Sequence, residues 1–254
     1  MKESAKWQRI RAYTALDKHL HKQDDPEESA FLISAMKTLR DVALGMNNSE
    51  FYNAIVMRYF ADTPLSIDQI AARTHRTKRT VYKDIDAGAE LLAGCLFGID
   101  GFALAPFGRD KTISEAAAQN TFELLERYYL LRQFAGNASP APSVSALDIV
   151  RQNTPRSFAE KITNSTALEH RQRTATVLNW LEKAVETYKT ELGGSGDCCE
   201  MLRHRRYRTI MARYIDGRRL DIQSIAENED CEIRNVYRDI KSAAYRISQI
   251  LFEL

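Results

Sequence analysis

Glycine and proline are scarce in this chain, 11 and 6 among 254 residues, which argues against a loop-rich β-sandwich and for helices. Cysteine is scarce as well: Cys95, Cys198, Cys199 and Cys231 make no C-x-x-C pair and no zinc-ligand spacing. Bridging the neighbours Cys198 and Cys199 would strain the backbone, so four reduced thiols of an intracellular protein are expected. No apolar run approaches the ~20 residues that span a bilayer. The stretch from Met1 to Gln8 turns polar at once and carries no apolar signal core. Net charge is only +2, so local charge must say more about partners than the total does. Activated nucleophiles, nucleotide-binding glycine loops and metal triads are all missing from the pattern. His19 and His21 stand two apart and would diverge on a helix. No enzymatic activity, cofactor or metal is predicted. The content that is present, 44% hydrophobic and 28% charged, suits a soluble globular protein, expected in the cytoplasm without membrane contact.

Strand-like alternation is missing and helical spacing recurs, so the predicted class is all-α. Trp7, Ile10, Ala15, Leu16 and Leu20 space a first helix over 4–22. The acidic break before Pro26 opens a second over 27–46, predicted to bury Phe31, Leu32, Met36, Leu39 and Leu44. Further helices are predicted over 114–134, 146–152, 157–162 and 166–192. The glycines at 98 and 101, with Pro106 beyond, mark a helix stop and the start of a linker over 99–112. Two lobes follow, 1–98 and 113–254.

The dominant feature is a repeat. Tyr52, Ile55, Arg58, Tyr59, Leu65, Ile67, Ile70, Ala71, Arg79, Val81, Tyr82, Asp84, Ile85, Ala89, Leu96 and Phe97 each recur 155 positions later, from Tyr207 to Phe252, with no gap. Each copy, about 49–97 and about 198–254, reads as a first helix, a short helix and a longer third helix. Ser66 with Gln69 makes a capping-box pattern before the short helix, and Asp221 is the matching cap. Short and long helices are joined through 74–76 and 229–231. A short helix and a long one joined so tightly form a helix-turn-helix.

Val81, Tyr82 and Ile85, with their repeats, are assigned to the core, and Asp84 and Asp239 to structural pairs with Arg58 and Arg213. The outer face of the third helix carries Arg79, Thr80, Lys83 and Asp86 in the first copy and Arg234, Asn235, Arg238 and Lys241 in the second. These are side chains that reach base edges and phosphates from a helix in the major groove. Arg73, Arg76, Thr77 and Lys78 add to the first copy's basic turn, which holds no acid from Arg73 to Lys83. The second copy has Glu229, Asp230 and Glu232 there instead. Its basic residues come earlier, with Arg205, Arg206, Arg218 and Arg219 as candidate phosphate contacts. Either this copy clamps the backbone with its first helix, or it has become a structural or protein-contact unit.

The stretch from Arg79 to Ile85, its partner from Arg234 to Ile240, and the Ile-Ala helices before them resemble sigma-70 region 4-type helix-turn-helix units. They are closest to phage late-gene regulators of the ArpU and RinA type. The resemblance covers the two units of about fifty residues each. It implies control of transcription through double-stranded DNA near promoters, with contact to RNA polymerase as a further implication. The chain departs from that family in carrying two units. Two other readings compete: a DNA-packaging protein like a small terminase subunit or a replication protein, and an interaction scaffold for RNA polymerase without DNA contact.

Overall fold

The computed structural model describes residues 2–23, 26–46, 48–102, 104–105, 113–141, 144–152, 166–192, 198–217 and 219–253. The described residues form α-helices and no strand. In order these are α1 (Lys2–Leu20), α2 (Pro26–Gly45), α3 (Glu50–Ile55), α4 (Ile67–Thr74), α5 (Lys78–Phe97), α6 (Ile113–Glu126), α7 (Tyr128–Ala135), α8 (Ala146–Gln152), α9 (Ala167–Thr190), α10 (Cys198–Ile210), α11 (Ile222–Asn228) and α12 (Ile233–Phe252). Helices α3 and α10 each run on into one π-helical turn, Val56–Phe60 and Met211–Ile215. The helix predicted over 157–162 lies outside the described residues.

Each long helix of the repeat is cradled by earlier ones. Helices α1, α2 and α3 pack on α5, while α6, α9 and α10 pack on α12. The two halves share one apolar core, from Leu16 and Leu39 through Leu92, Phe102, Leu131 and Leu178 to Val236 and Leu251. Among the described residues, only the first helix-turn-helix unit keeps a small cluster of its own, Ala54, Ile70, Ala71, Val81 and Ile85. The corresponding Ile225, Ala226, Val236 and Ile240 belong to the main core.

Several expectations need correction. On α2 the buried stripe is Leu32, Ala35, Met36, Leu39, Val42 and Ala43. Leu44 falls off that stripe and is 68% exposed, and Phe31 is half-buried. The helix predicted over 114–134 is two helices, broken at Arg127. Its guanidinium reaches Glu90 of α5 at 3.1 Å, pairs with Glu123 and covers the Phe102 ring at 4.7 Å.

The glycines at 98 and 101 do not open a loose connection. They close a buried 3₁₀ turn, Gly98–Gly101, that lies against α9. Gly98 has φ +56°, and a Cβ there would lie 2.2 Å from Thr174 Oγ1. At Gly101 a Cβ would meet the Ala93 carbonyl oxygen at 2.3 Å. Only glycine fits such approaches without displacing the neighbour. Between them, buried Asp100 accepts hydrogen bonds from Arg173 Nε and Nη2 at 3.0 Å each and bonds His170 Nδ1 at 2.8 Å. The Ile99 amide donates to Thr174 Oγ1 at 3.0 Å. The expected linker therefore begins as a rivet from α5 to α9. Residues 106–112 lie outside the described residues.

Candidate nucleic-acid interface

The same local chemistry shapes both reading units. After its π turn the chain must leave α3, and Arg58 donates from Nη1 to the Leu65 carbonyl at 3.1 Å while lying over the Tyr59 ring at 5.9 Å. Arg213 donates to the Leu220 carbonyl at 3.0 Å and lies over Tyr214 at 5.9 Å. The Leu65 amide closes on the Met57 carbonyl and the Leu220 amide on Ala212, both at 3.0 Å. These bonds explain why the Arg-Tyr pair recurs.

Ser66 and Gln69 form the capping box at the start of α4. Asp221 accepts the Ser224 amide at 2.8 Å at the start of α11. The turn into the third helix needs a left-handed residue in each unit, His75 at φ +54° and Asp230 at φ +45°. Both types tolerate that conformation better than most. The following amides, of Arg76 and Cys231, bond the carbonyls of Ala71 and Ala226, each at 3.0 Å.

Ion pairs divide the predicted contacts into two groups. Asp84 and Asp239 are structural, but their partners are not Arg58 and Arg213. Asp84 pairs with Arg76 at 2.8 Å, and Arg76 also reaches Glu50 at 2.7 Å. Burial still pushes the Asp84 carboxyl above its ordinary value, against the pull of Arg76. Asp239, fully buried, accepts Arg205 Nε at 2.7 Å, and Arg206 Nε stands off at 3.5 Å. Arg76 and Arg205, predicted to contact DNA, are thus occupied in holding the third helix to the first, while Arg206 Nε is left without a hydrogen-bond partner.

Arg219 is withdrawn too, lying over the Tyr129 ring of α7 at 5.1 Å. Arg218 lies outside the described residues. Thr77 caps α5 by accepting the Thr80 amide at 3.2 Å, and the two hydroxyls bond each other at 2.8 Å. Lys78 pairs with Asp68 at 2.7 Å, both largely exposed.

What remains is narrower and cleaner. Arg73, Arg79 and Lys83 are exposed and have no ion pair or side-chain hydrogen bond among the described residues. The same holds for Arg234 and Lys241, while Arg238 is exposed and bonds the Asn235 side chain at 2.9 Å. Residues 79 and 83, and 234, 238 and 241, follow one outer helix face at spacings of three and four. On α5 that stripe ends at Asp86, which accepts Arg9 and Tyr13 of α1 at 2.7 Å each. On α12 it continues to Lys241, about 10 Å along the axis from Arg234.

Two residues were misassigned. Tyr82 and Tyr237, expected in the core, are 59% and 60% exposed and sit between the basic residues of each stripe. Tyr82 stands three residues before Ile85 and seven before Ala89, at the edge of the buried stripe, so helical spacing did not separate it from the core.

The surroundings differ in charge. Arg208 neutralises Glu229 with two bonds, 2.8 Å from Nε and 2.6 Å from Nη2. Asp230 and Glu232 still flank the start of α12, where the first unit has His75 and Thr77. No helix of the described residues is long and apolar enough to cross a membrane. No group of three or more His, Cys, Asp or Glu among them could hold a metal ion. Comparison of the chain with protein families, with curated proteins and with solved structures returns no match.

Proposed function

We propose that the protein binds double-stranded DNA as a transcription regulator, with the outer face of α5 in one major groove and that of α12 in another. The observation that carries this reading is the recurrence of exposed basic side chains, Arg79 with Lys83 and Arg234 with Arg238, on two helices held by the same capped turn. Side chains that merely balanced internal acids would be paired, as Arg76 and Arg205 are. Arg residues on such a face suit guanine edges and phosphates alike, and the neighbouring tyrosines can press against sugar or a thymine methyl. One chain would then supply what a dimer supplies, contacts at two half-sites about one turn of DNA apart or a multiple of it.

The units are not equal in this reading. The first has the stronger field, with Arg73 behind the stripe and no carboxylate at the helix start. The second meets DNA with Arg234, Arg238 and Lys241 past a negative turn, and serves as the weaker hand.

The test is titration of the full chain against fragments of its own genomic neighbourhood at two salt concentrations. Binding should weaken steeply with salt, as phosphate contacts release counterions. Arg79→Ala with Lys83→Ala should cost roughly 100-fold in specific affinity, each good contact being worth about 1–3 kcal/mol. Arg234→Ala with Arg238→Ala should cost less, with helicity unchanged in both variants. Salt-insensitive binding, or an unaltered affinity in the first double variant, would overturn the proposal.

A further inference from the structure

The C-terminal halves of α5 and α12 have opposite fates. On α5 the outward carboxylates are partnered by neighbouring helices. Asp86 is held by Arg9 and Tyr13, and Glu90 by Arg127. Phe102 fills the space beside Gly94 so closely that a Cβ there would lie 2.2 Å from its ring. Phe51 is buried below. The matching positions of the second unit are Lys241, Tyr245, Gln249 and Arg206. They line a cleft of about 860 Å³ between the end of α9, α10 and α12.

The buried ring of Phe51 in the first unit is replaced by Arg206 in the second, and the carboxylate of Asp86 by the ammonium of Lys241. Arg203 and Arg206 enter from α10, and Lys241 and Arg246 from α12. The one carboxylate among the lining residues, Glu191, is held by Arg246 at 2.9 and 2.8 Å. Arg206 Nε is buried without a hydrogen-bond partner, beside the 3.5 Å gap to Asp239. Tyr188 forms an apolar floor, and Tyr245 stands half-exposed at the rim with its hydroxyl accepting Ser114 Oγ at 3.3 Å. Cations converging in a walled cleft focus a positive potential on whatever enters. The volume is large enough for a small molecule, and the cleft is open to solvent along one side.

We propose that this cleft binds a phosphate-bearing ligand of nucleotide size, its phosphates between Arg203, Arg206 and Lys241 and its flat group on Tyr245. Arginine suits this chemistry because its planar donors match phosphate oxygens two at a time. The proposal does not rest on the DNA reading. The same chemistry could be met by a backbone phosphate of DNA, since Lys241 ends the outer stripe of α12, and the test separates the two sources.

Calorimetry of the full chain, without DNA, against inorganic pyrophosphate and against ATP and GTP should give saturable binding. Arg203→Gln should weaken it about ten-fold through the loss of one charge-assisted contact. Gln249→Glu keeps a side chain that Arg246 can hold (the present bond is 3.0 Å) and should weaken binding at least as much by adding a carboxylate to the wall. Circular dichroism of both variants establishes that they fold. Absence of binding by all three probes, or binding indifferent to both substitutions, overturns the proposal. If the substitutions weaken binding of a DNA fragment while pyrophosphate and nucleotides fail to bind, the cleft seats the DNA backbone and the free-ligand proposal falls.

Discussion

The two reading units share a frame and differ in what they hang on it. Their π turns, Arg-to-carbonyl clasps, short-helix caps and left-handed turn residues coincide position for position. The aspartate of the third helix, partly buried Asp84 or fully buried Asp239, is also shared, yet its cation comes from different places. The first unit supplies Arg76 from the turn, with Glu50 on its far side. In the second unit the turn residue is Cys231, and the position of Glu50 is taken by Arg205, which reaches the aspartate directly. One requirement, a counter-ion for a carboxylate under the third helix, has two solutions. The second solution draws Arg205 inward, away from the outer surface.

The strongest way to break this comparison is to remove the carboxylate from each unit. Asp239 is fully buried, and Asp239→Ala would strand two partly buried arginines, costing about 3 kcal/mol. Asp84→Ala leaves Arg76 its second partner, Glu50, and should cost about 1 kcal/mol or less. Chemical denaturation of both variants checks the ranking. Equal losses would mean that the aspartates carry the same load and that the shift of cation is incidental.

The rivet between the halves comes next. Burial alone would raise the Asp100 carboxyl, but the hydrogen bonds from His170 and Arg173 outweigh it and hold the group below its usual range. A carboxyl depressed in the folded state stabilises the fold above its unfolded value, near pH 4, and loses that contribution as pH falls through the folded value. Asp100→Asn should therefore cost about 2–3 kcal/mol at neutral pH, with the gap to the parent protein narrowing below about pH 4. A gap constant down to pH 2 would show that the charge of Asp100 is irrelevant and only its shape matters. Because Asp100 follows α5 of the first unit while α9 packs on α12 of the second, one cooperative transition is expected in the parent. The variant should broaden it, with the first unit melting earlier.

A substitution that converts one solution into the other sharpens the point further. Arg76→Cys leaves Glu50 and Asp84 facing each other without their cation and should cost about 1–2 kcal/mol. Adding Glu50→Arg rebuilds the arrangement of the second unit and should recover most of that loss. Failure to recover would show that the first helices approach the third differently in the two units, and that the exchange is not a simple swap.

How far the sequence could be read follows from the range of the forces involved. The repeat register and the caps at Ser66 and Asp221 are local matters, decided within a few residues, and they are where the spacing puts them. Partner choice is not local. Pairing the repeated Asp84 with the repeated Arg58 assumed that shared residues serve one another. Arg58 is instead spent on the Leu65 carbonyl at the π turn, and the pairing falls to residues that are not shared. The π turn itself leaves no pattern, because one extra residue in a helix shifts the apolar stripe by less than the stripe's own width. Gly98 and Gly101 read as looseness, although each is required by a close approach from a distant helix or a neighbouring carbonyl. Of the candidate interface, the outer stripes were legible because they follow helical spacing. Arg76, Arg205 and Arg219 were misread because counting charge says nothing about which cations are already taken.

The smallest effect tests the start of the two reading helices. Thr77 accepts the Thr80 amide and caps α5, whereas Glu232 heads α12 with no side-chain cap bond. Among side chains at that position, threonine is one of those that satisfy a free amide of the first turn. Glu232→Thr should therefore stabilise the protein by about 0.5–1 kcal/mol, read as a rise in the denaturation midpoint. It also takes a carboxylate from the mouth of the second reading helix, so affinity for DNA should rise by roughly three-fold at low salt, and the gain should fade as salt screens it. A stability gain without any change in affinity would place the start of α12 away from the phosphates, and the second unit would then contact DNA, if at all, only through the far end of its stripe at Arg238 and Lys241.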